Sequence, residues 1–323
     1  MYIHSSFKNI SVVMMAVCVA IGTTVAQETE GQNWQAVMKA KFDAMDFEFS
    51  RADSDVPFIP VALLSASAYG KSEFQRMDGS GDTVEYRSAY VGGYAMMPLF
   101  LGKHGFALAA PYVSRTRFTS MTDGSADTDV DSFYLPVGGI WQAANGKQWG
   151  GFAMPIFNSS FSGDGDGGTD FMGGVLGRSF SGQKSIWYYG LVYDYSYGGN
   201  FYYPYLGYSY VADPQWVISL VMPWPTVTYA PSDRLYFSVG VLPSGANWVM
   251  DQEGSDTKVS SSFGGWDLGT YCGWRLTKLL WVTAGVGFSG LRSLQVDEDG
   301  ELAFEQNLSR EPFVSLSLSA RPN

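Results

Sequence analysis

The sequence is poor in charge. Only 16% of its 323 residues are Asp, Glu, Lys or Arg, against about 25% in an ordinary soluble domain. Basic residues are the scarcer, with 20 Lys and Arg against 31 Asp and Glu and a net charge of −11. That balance argues against nucleic acid as a partner, and against attachment to anionic lipid by general attraction. Reactive groups are few: two cysteines, Cys18 and Cys272, and two histidines, His4 and His104. Cys18 and His4 fall in a leader-like N-terminus, so the mature chain is expected to hold no internal disulfide. Any histidine-based hydrolase must then use His104, which sits in the turn-like Gly102-Lys103-His104-Gly105. There is no zinc constellation, phosphate loop, dinucleotide fingerprint or Gly-x-Ser-x-Gly elbow. The sequence therefore predicts no catalytic residue and no cofactor.

Also absent is an apolar run long enough for a helical span. Ile10 to Ile21 is apolar, but spanning a bilayer takes about 20 such residues. With Lys8 before it and Thr24-Val25-Ala26 after it, residues 1–26 read as an export signal cut before Gln27. An exported chain without a helical span either stays soluble or crosses a membrane as strands.

What the chain has in excess is aromatic residues (16%) and glycine (38). Half of the stretch Trp187–Tyr210 is aromatic, split by Gly198-Gly199-Asn200 into two runs of β-favouring residues. This is a hairpin pattern, with aromatics on both faces and bunched near the strand ends. A soluble hairpin keeps one face polar, whereas a strand pair crossing a bilayer carries aromatic girdles at both interfaces.

Period-two alternation extends the reading from residue 58 onward. Tyr86, Tyr90 and Tyr94 alternate with Glu85, Arg87 and Ala89, and Phe106 to Phe118 runs opposite Arg115 and Arg117. Leu280, Val282, Val286 and Phe288 alternate with Thr283, Gly285 and Ser289, and Val314, Leu316 and Leu318 with Ser315, Ser317 and Ser319. Period two is the strand period, one face being wetter or smaller than the other. Turn-rich connections alternate long and short, from Gly70–Asp82 (long) to Ser181–Ser185 (short), as extracellular loops and periplasmic turns of a barrel do. The spacing predicts a single antiparallel transmembrane β-barrel over 58–323 with about 12 strands, within a range of about 10 to 14. Residues 27–57 are an N-terminal periplasmic extension, a first strand or a plug. Pro243-Ser244-Gly245 reads as a bulge or a turn. The competing architecture is a secreted β-sandwich, which also alternates; the aromatic excess weighs against it.

On that pattern, and on Leu220-Val221-Met222-Pro223-Trp224-Pro225 and Tyr229-Ala230-Pro231-Ser232-Asp233, the chain resembles an uncharacterised, porin-like bacterial outer-membrane β-barrel family. The resemblance covers roughly residues 58 to 320 and carries no catalytic residue. It implies the outer membrane of a Gram-negative bacterium, surrounded by lipid and lipopolysaccharide and inserted by the barrel-assembly machinery. The chain departs from such barrels in ending on Ala320-Arg321-Pro322-Asn323 rather than an aromatic.

Candidate sites are sparse. Asp164, Asp166 and Asp170 alternate with glycine in the manner of a calcium loop, without the closing Glu of an EF-hand. Asp123, Asp127, Asp129 and Asp131 form a second acidic loop; Asp and Gly are also what exposed turns use. Glu85, Arg87, Arg115 and Arg117 are candidate lumen charges, lining a channel or pairing to close it. The functional reading is a narrow pore or passive transporter of small solutes. The alternatives are a non-conducting binding barrel that displays acidic loops, and an outer-membrane hydrolase.

Overall fold

Among the described residues the alternation folds into strands and no other element of length. The computed structural model describes residues 40, 44–50, 52–75, 82–122, 127–159, 168–196, 199–251, 258–298 and 301–321. Its strand segments are β1 (Ala62–Gln75), β2 (Thr83–Ala95), β3 (Met97–Gly102), β4 (Gly105–Ala109), β5 (Tyr112–Ser120) and β6 (Thr128–Tyr134). They continue as β7 (Val137–Gln142), β8 (Gln148–Ser159), β9 (Gly168–Ser181), β10 (Ser185–Ser196), β11 (Gly199–Asp213) and β12 (Trp216–Val221). The last are β13 (Thr226–Ser232), β14 (Leu235–Asp251), β15 (Lys258–Arg275), β16 (Leu280–Glu298), β17 (Glu301–Leu308) and β18 (Glu311–Ala320). Four pairs, β2/β3, β4/β5, β6/β7 and β17/β18, are halves of one stave interrupted at a bend, so the 18 segments form a ring of fourteen staves. The ring closes where β1 pairs with β18 from Ala62↔Ala320 to Tyr69↔Phe313. Closure satisfies the backbone polar groups that a bilayer cannot.

By Cα packing the chain divides into residues 1–47 with 101–104, and residues 48–100 with 105–323. The second unit is the barrel. In the first, the Asp46 amide donates to the Lys103 carbonyl at 2.7 Å.

Fourteen staves is the upper end of the expected 10 to 14, because β12 and β13 have only 6 and 7 residues. Pro223 and Pro225 lie between them and Pro231 lies within β13, which hides any period there. Their hairpin reaches only part of the height of β11 and β14, which run 15 and 17 residues. Gly199–Leu206 of β11 is therefore paired only with β10, and Leu242–Asp251 of β14 only with β15. The wall opens between these two segments.

Other expectations shift locally. Of the Gly198-Gly199-Asn200 turn reading, Gly199 and Asn200 already belong to β11, paired with Ser196 and Tyr195, and Gly198 lies outside the described residues. Pro243-Ser244-Gly245 makes neither turn nor bulge: β14 runs through it in unbroken register, Gly245 adopting φ 151°. Residues 44–50 carry no strand. The long–short alternation of connections fails after β10: at the long-loop end β12 and β13 are only four residues apart, and β10–β11 and β16–β17 stay paired up to Ser196↔Gly199 and Glu298↔Glu301.

Candidate functional site

Residues directly paired across antiparallel strands point to the same face, so the registers sort the wall into inside and outside. Val314, Leu316 and Leu318 face out and are exposed, as are Val286 and Phe288 on β16. Their alternates Ser315, Ser317, Thr283 and Ser289 face the lumen. The last strands thus keep the apolar and small faces read from the sequence.

On β2 and β5 the phase is reversed. Tyr86 lies 4% exposed, its ring 6.2 Å from Phe263 on β15 and 6.1 Å from Phe118 on β5. These are staves from different parts of the ring, so their rings meet inside it. The even positions of β2 and β5 are lumenal, and Glu85, Arg87, Arg115 and Arg117 point outward, not into the lumen. The aromatics that resembled a lipid face instead fill the interior. The outward charges pair locally: Arg115 with Asp131 at 2.6 Å, Arg117 with Asp129 at 2.7 Å and Lys71 with Glu85 at 2.6 Å.

This filled sector is a packed core. Tyr86, Phe263 and Leu308 form its centre, with Phe74, Phe118 and Leu294 against them. Arg292 lies within it, its guanidinium 4.6 Å from the Phe263 ring centre and 2.7 Å from Glu311. Asp267 accepts hydrogen bonds from Tyr69 at 2.8 Å and Ser244 at 2.9 Å, tying β1, β14 and β15 together. β14 also comes within 8 Å of β6 and β8, Cα to Cα, across the ring. The strands from β14 round to β6 thereby enclose the filled sector, much as small barrels of about eight strands fill their interior with side chains.

The other sector is lined mostly by uncharged groups of mixed size, with one carboxylate, Asp194. One inward row runs Met154, Met172, Asp194, Phe201, and the next Phe152, Gly174, Val192, Tyr203. Phe201 and Tyr203 remain 51% and 39% exposed beside the opening between β11 and β14. Below the filled sector, Thr283, Ser317, Ser65, Gly92, Ser114 and Ser132 form a hydroxyl-rich inward belt in direct register across six staves.

At the short-turn mouth, residues 48–50 and 52–60 lie along the inner rim. The Glu48 carbonyl accepts hydrogen bonds from Gln148 and Arg178, each at 2.8 Å, and its amide donates to Gln142 at 2.8 Å. Phe49 stacks on Phe106 at 5.7 Å. Further on, the Asp55 amide donates to the Pro214 carbonyl at 2.7 Å. Val56 packs on Ala230, Tyr236 and Trp281. Arg321 donates to the Phe58 carbonyl at 2.9 Å, and Tyr94 to the Pro60 carbonyl at 3.0 Å. Sequence reasoning missed Arg178, Gln148 and Arg321. They bind backbone carbonyls, which leave no signature in a sequence.

Of the calcium-loop candidates, Asp164 and Asp166 lie outside the described residues, as does Asp123. Asp170 is inward-facing on β9, 2% exposed, and accepts a hydrogen bond from Asn158 at 3.1 Å. Among the described residues no group of three His, Cys, Asp or Glu is arranged to hold a metal. His104 is half-exposed, with Nδ1 3.9 Å from Asp46; among the described residues no hydroxyl or thiol is hydrogen-bonded to it.

A closed ring with an exposed aliphatic and aromatic outer face, in which all strands are antiparallel, has one physical home. The chain is a transmembrane β-barrel of the outer-membrane type. No family model and no curated protein matches the sequence. Solved structures of similar fold include a deletion mutant of the monoaromatic hydrocarbon channel TodX of Pseudomonas putida, with a TM-score of 0.45 and 11% identity over 82% of this chain and 91% of that one. An outer-membrane channel of Pseudomonas putida F1 gives 0.41 and 10% over 82% and 98%. The translocator domain of the autotransporter NalP from Neisseria meningitidis gives 0.27 and 14% over 93% and 97%. The likeness is one of fold alone.

Proposed function

We propose that this barrel is a narrow passive pore for small solutes in the outer membrane of a Gram-negative bacterium, reached through an export signal and the barrel-assembly machinery. The observation that carries the reading is the division of the lumen. One sector is filled with side chains, and the other is lined by Met154, Met172, Asp194, Gly174, Phe201 and Tyr203 and opens at the wall between β11 and β14. A purely structural barrel of this girth has no need to leave a sector unfilled, since filling it adds stabilising contacts.

The segment 48–60 is the constriction of this pore at the short-turn mouth. Asp194 faces the open sector, while Arg178 is engaged by the Glu48 carbonyl. The lining is therefore modestly acidic and favours cations over anions.

The test is to narrow the open sector from inside. Met154→Trp and Met172→Trp place an indole in the proposed path. Val175→Trp, on the lipid-facing phase and 61% exposed, is the control. In planar bilayers the inward variants should carry less current per channel than the parent and the outward variant the same current. If the three variants conduct alike, the path does not run through this sector.

A further inference from the structure

The outer face of the β1–β2–β5–β6 wall changes character along one line. The last apolar outward residues before the long-loop end are Ala68 on β1, Ala89 on β2, Val113 on β5 and Phe133 on β6. Beyond them the outward residues are Lys71 and Glu73, Arg87 and Glu85, Arg115 and Arg117, and Asp131 and Asp129. An outward arginine at the bilayer midplane costs about 2–4 kcal/mol, falling towards zero at the interface. This row of charges therefore lies at headgroup level, on the side of the long loops, which is the outer leaflet.

Within the row four cations face four carboxylates, but the pairing is uneven. Lys71, Arg115 and Arg117 each have a carboxylate within 2.7 Å. Arg87 is exposed and has no carboxylate at ion-pair distance among the described residues. It stands directly opposite Lys71 in the register, with Arg117 diagonally adjacent on β5. Like charges placed directly across a strand pair destabilise it unless something anionic sits over them. With Glu85 and Asp129 counted against them, Lys71, Arg87 and Arg117 leave one unmatched positive charge, that of Arg87, at headgroup depth in a chain of net charge −11.

We propose that Lys71, Arg87 and Arg117 form a binding site for a phosphate of the outer-leaflet phosphoglycolipid, the lipid A part of lipopolysaccharide, with Arg87 as its principal donor. A guanidinium can donate two parallel hydrogen bonds to phosphate oxygens, and a flanking ammonium adds charge without geometric demand. Asp129 and Glu85 hold Arg117 and Lys71 in place from the sides. The proposal rests on the outer-membrane reading for its orientation, but not on whether the lumen conducts.

The experiment uses the full chain, shown to be folded by its heat-dependent gel mobility, in detergent micelles. Binding of lipid A, of fully dephosphorylated lipid A and of phosphatidylglycerol is followed by native mass spectrometry. The parent should bind lipid A at least about tenfold more tightly than either other lipid, roughly the worth of one charge-assisted contact. Arg87→Ala should weaken lipid A binding by a similar factor and Arg87→Lys by less, while Lys278→Ala, an exposed cation at the short-turn end, should change nothing. Added salt should weaken the parent and leave Arg87→Ala nearly insensitive. Equal binding of phosphatidylglycerol and lipid A, or an Arg87→Ala protein that binds like the parent, would overturn the site. A protein with one gel mobility, boiled or unboiled, would instead overturn the barrel reading beneath it.

Discussion

Arg292 and Glu311 meet at 2.7 Å with side chains 1% and 0% exposed, and neither carboxylate oxygen of Glu311 has hydrogen-bond geometry to any partner. The contact is therefore ionic and buried, inside the filled sector. Removing one member leaves the other charge uncompensated, at a cost of about 3–5 kcal/mol. Arg292→Met should lower unfolding stability in micelles by that order. Adding Glu311→Leu to it should recover most of the loss, because the pair then becomes an apolar contact within the Tyr86–Phe263 core. A double variant as unstable as the single one would show that the pair is not what holds this sector.

Gly273 lies directly opposite Tyr236 across β14 and β15, and a Cβ there would overlap the Tyr236 ring. Tyr236 shares a hydrogen bond with Thr283 at 2.8 Å and packs with Trp281, Ala230 and Val56. Gly273→Ala should push the ring from this slot at a cost of about 1–3 kcal/mol. It should also free the rim segment, read as faster proteolysis within residues 48–60. An unchanged cleavage rate would mean Val56 is held by something other than the Tyr236 platform.

Asp194 faces the open sector between Met172 and Phe201. Asp194→Asn should reduce the preference for cations, measured as reversal potential in a salt gradient, with little change in single-channel current at symmetric salt. A reversal potential identical to that of the parent would place the selectivity elsewhere.

Trp141 and Trp149 are directly paired on β7 and β8, both outward and 67% and 47% exposed, next to the short turn 143–147. As girdle residues they should sit at the interface. With the other tryptophans replaced by Phe, their fluorescence should be quenched most by lipids brominated near the carbonyl and least by those brominated at the chain end. The opposite order would move the short-turn boundary of the membrane.

The fold was legible wherever the inner face is small. β16 and β18 alternate aliphatic residues with Ser, Thr and Gly, so inside and outside could be told apart. On β2 and β5 they could not, because Tyr86 and Phe118 are large residues packed in a filled lumen, and tyrosine and phenylalanine serve equally as girdle and as core. The neighbouring charges then appeared lumenal, although the registers turn them outward. The prolines around β12 and β13 masked two short staves. Contacts such as that of the Glu48 carbonyl with Gln148 and Arg178 join residues 100 and 130 positions apart, and pairings at that range leave no local pattern to read.

The central claim is a pore narrowed by its own N-terminal segment. Single-channel current of the refolded full-length protein should be compared with that of a protein lacking residues 27–57, which removes the Glu48, Asp55 and Val56 contacts and leaves the approach to β1 intact. Both proteins should open, the truncated one with the larger current and the same preference for cations. Silence from both, with heat-dependent mobility showing each barrel folded, would contradict the pore; equal currents would contradict the constriction.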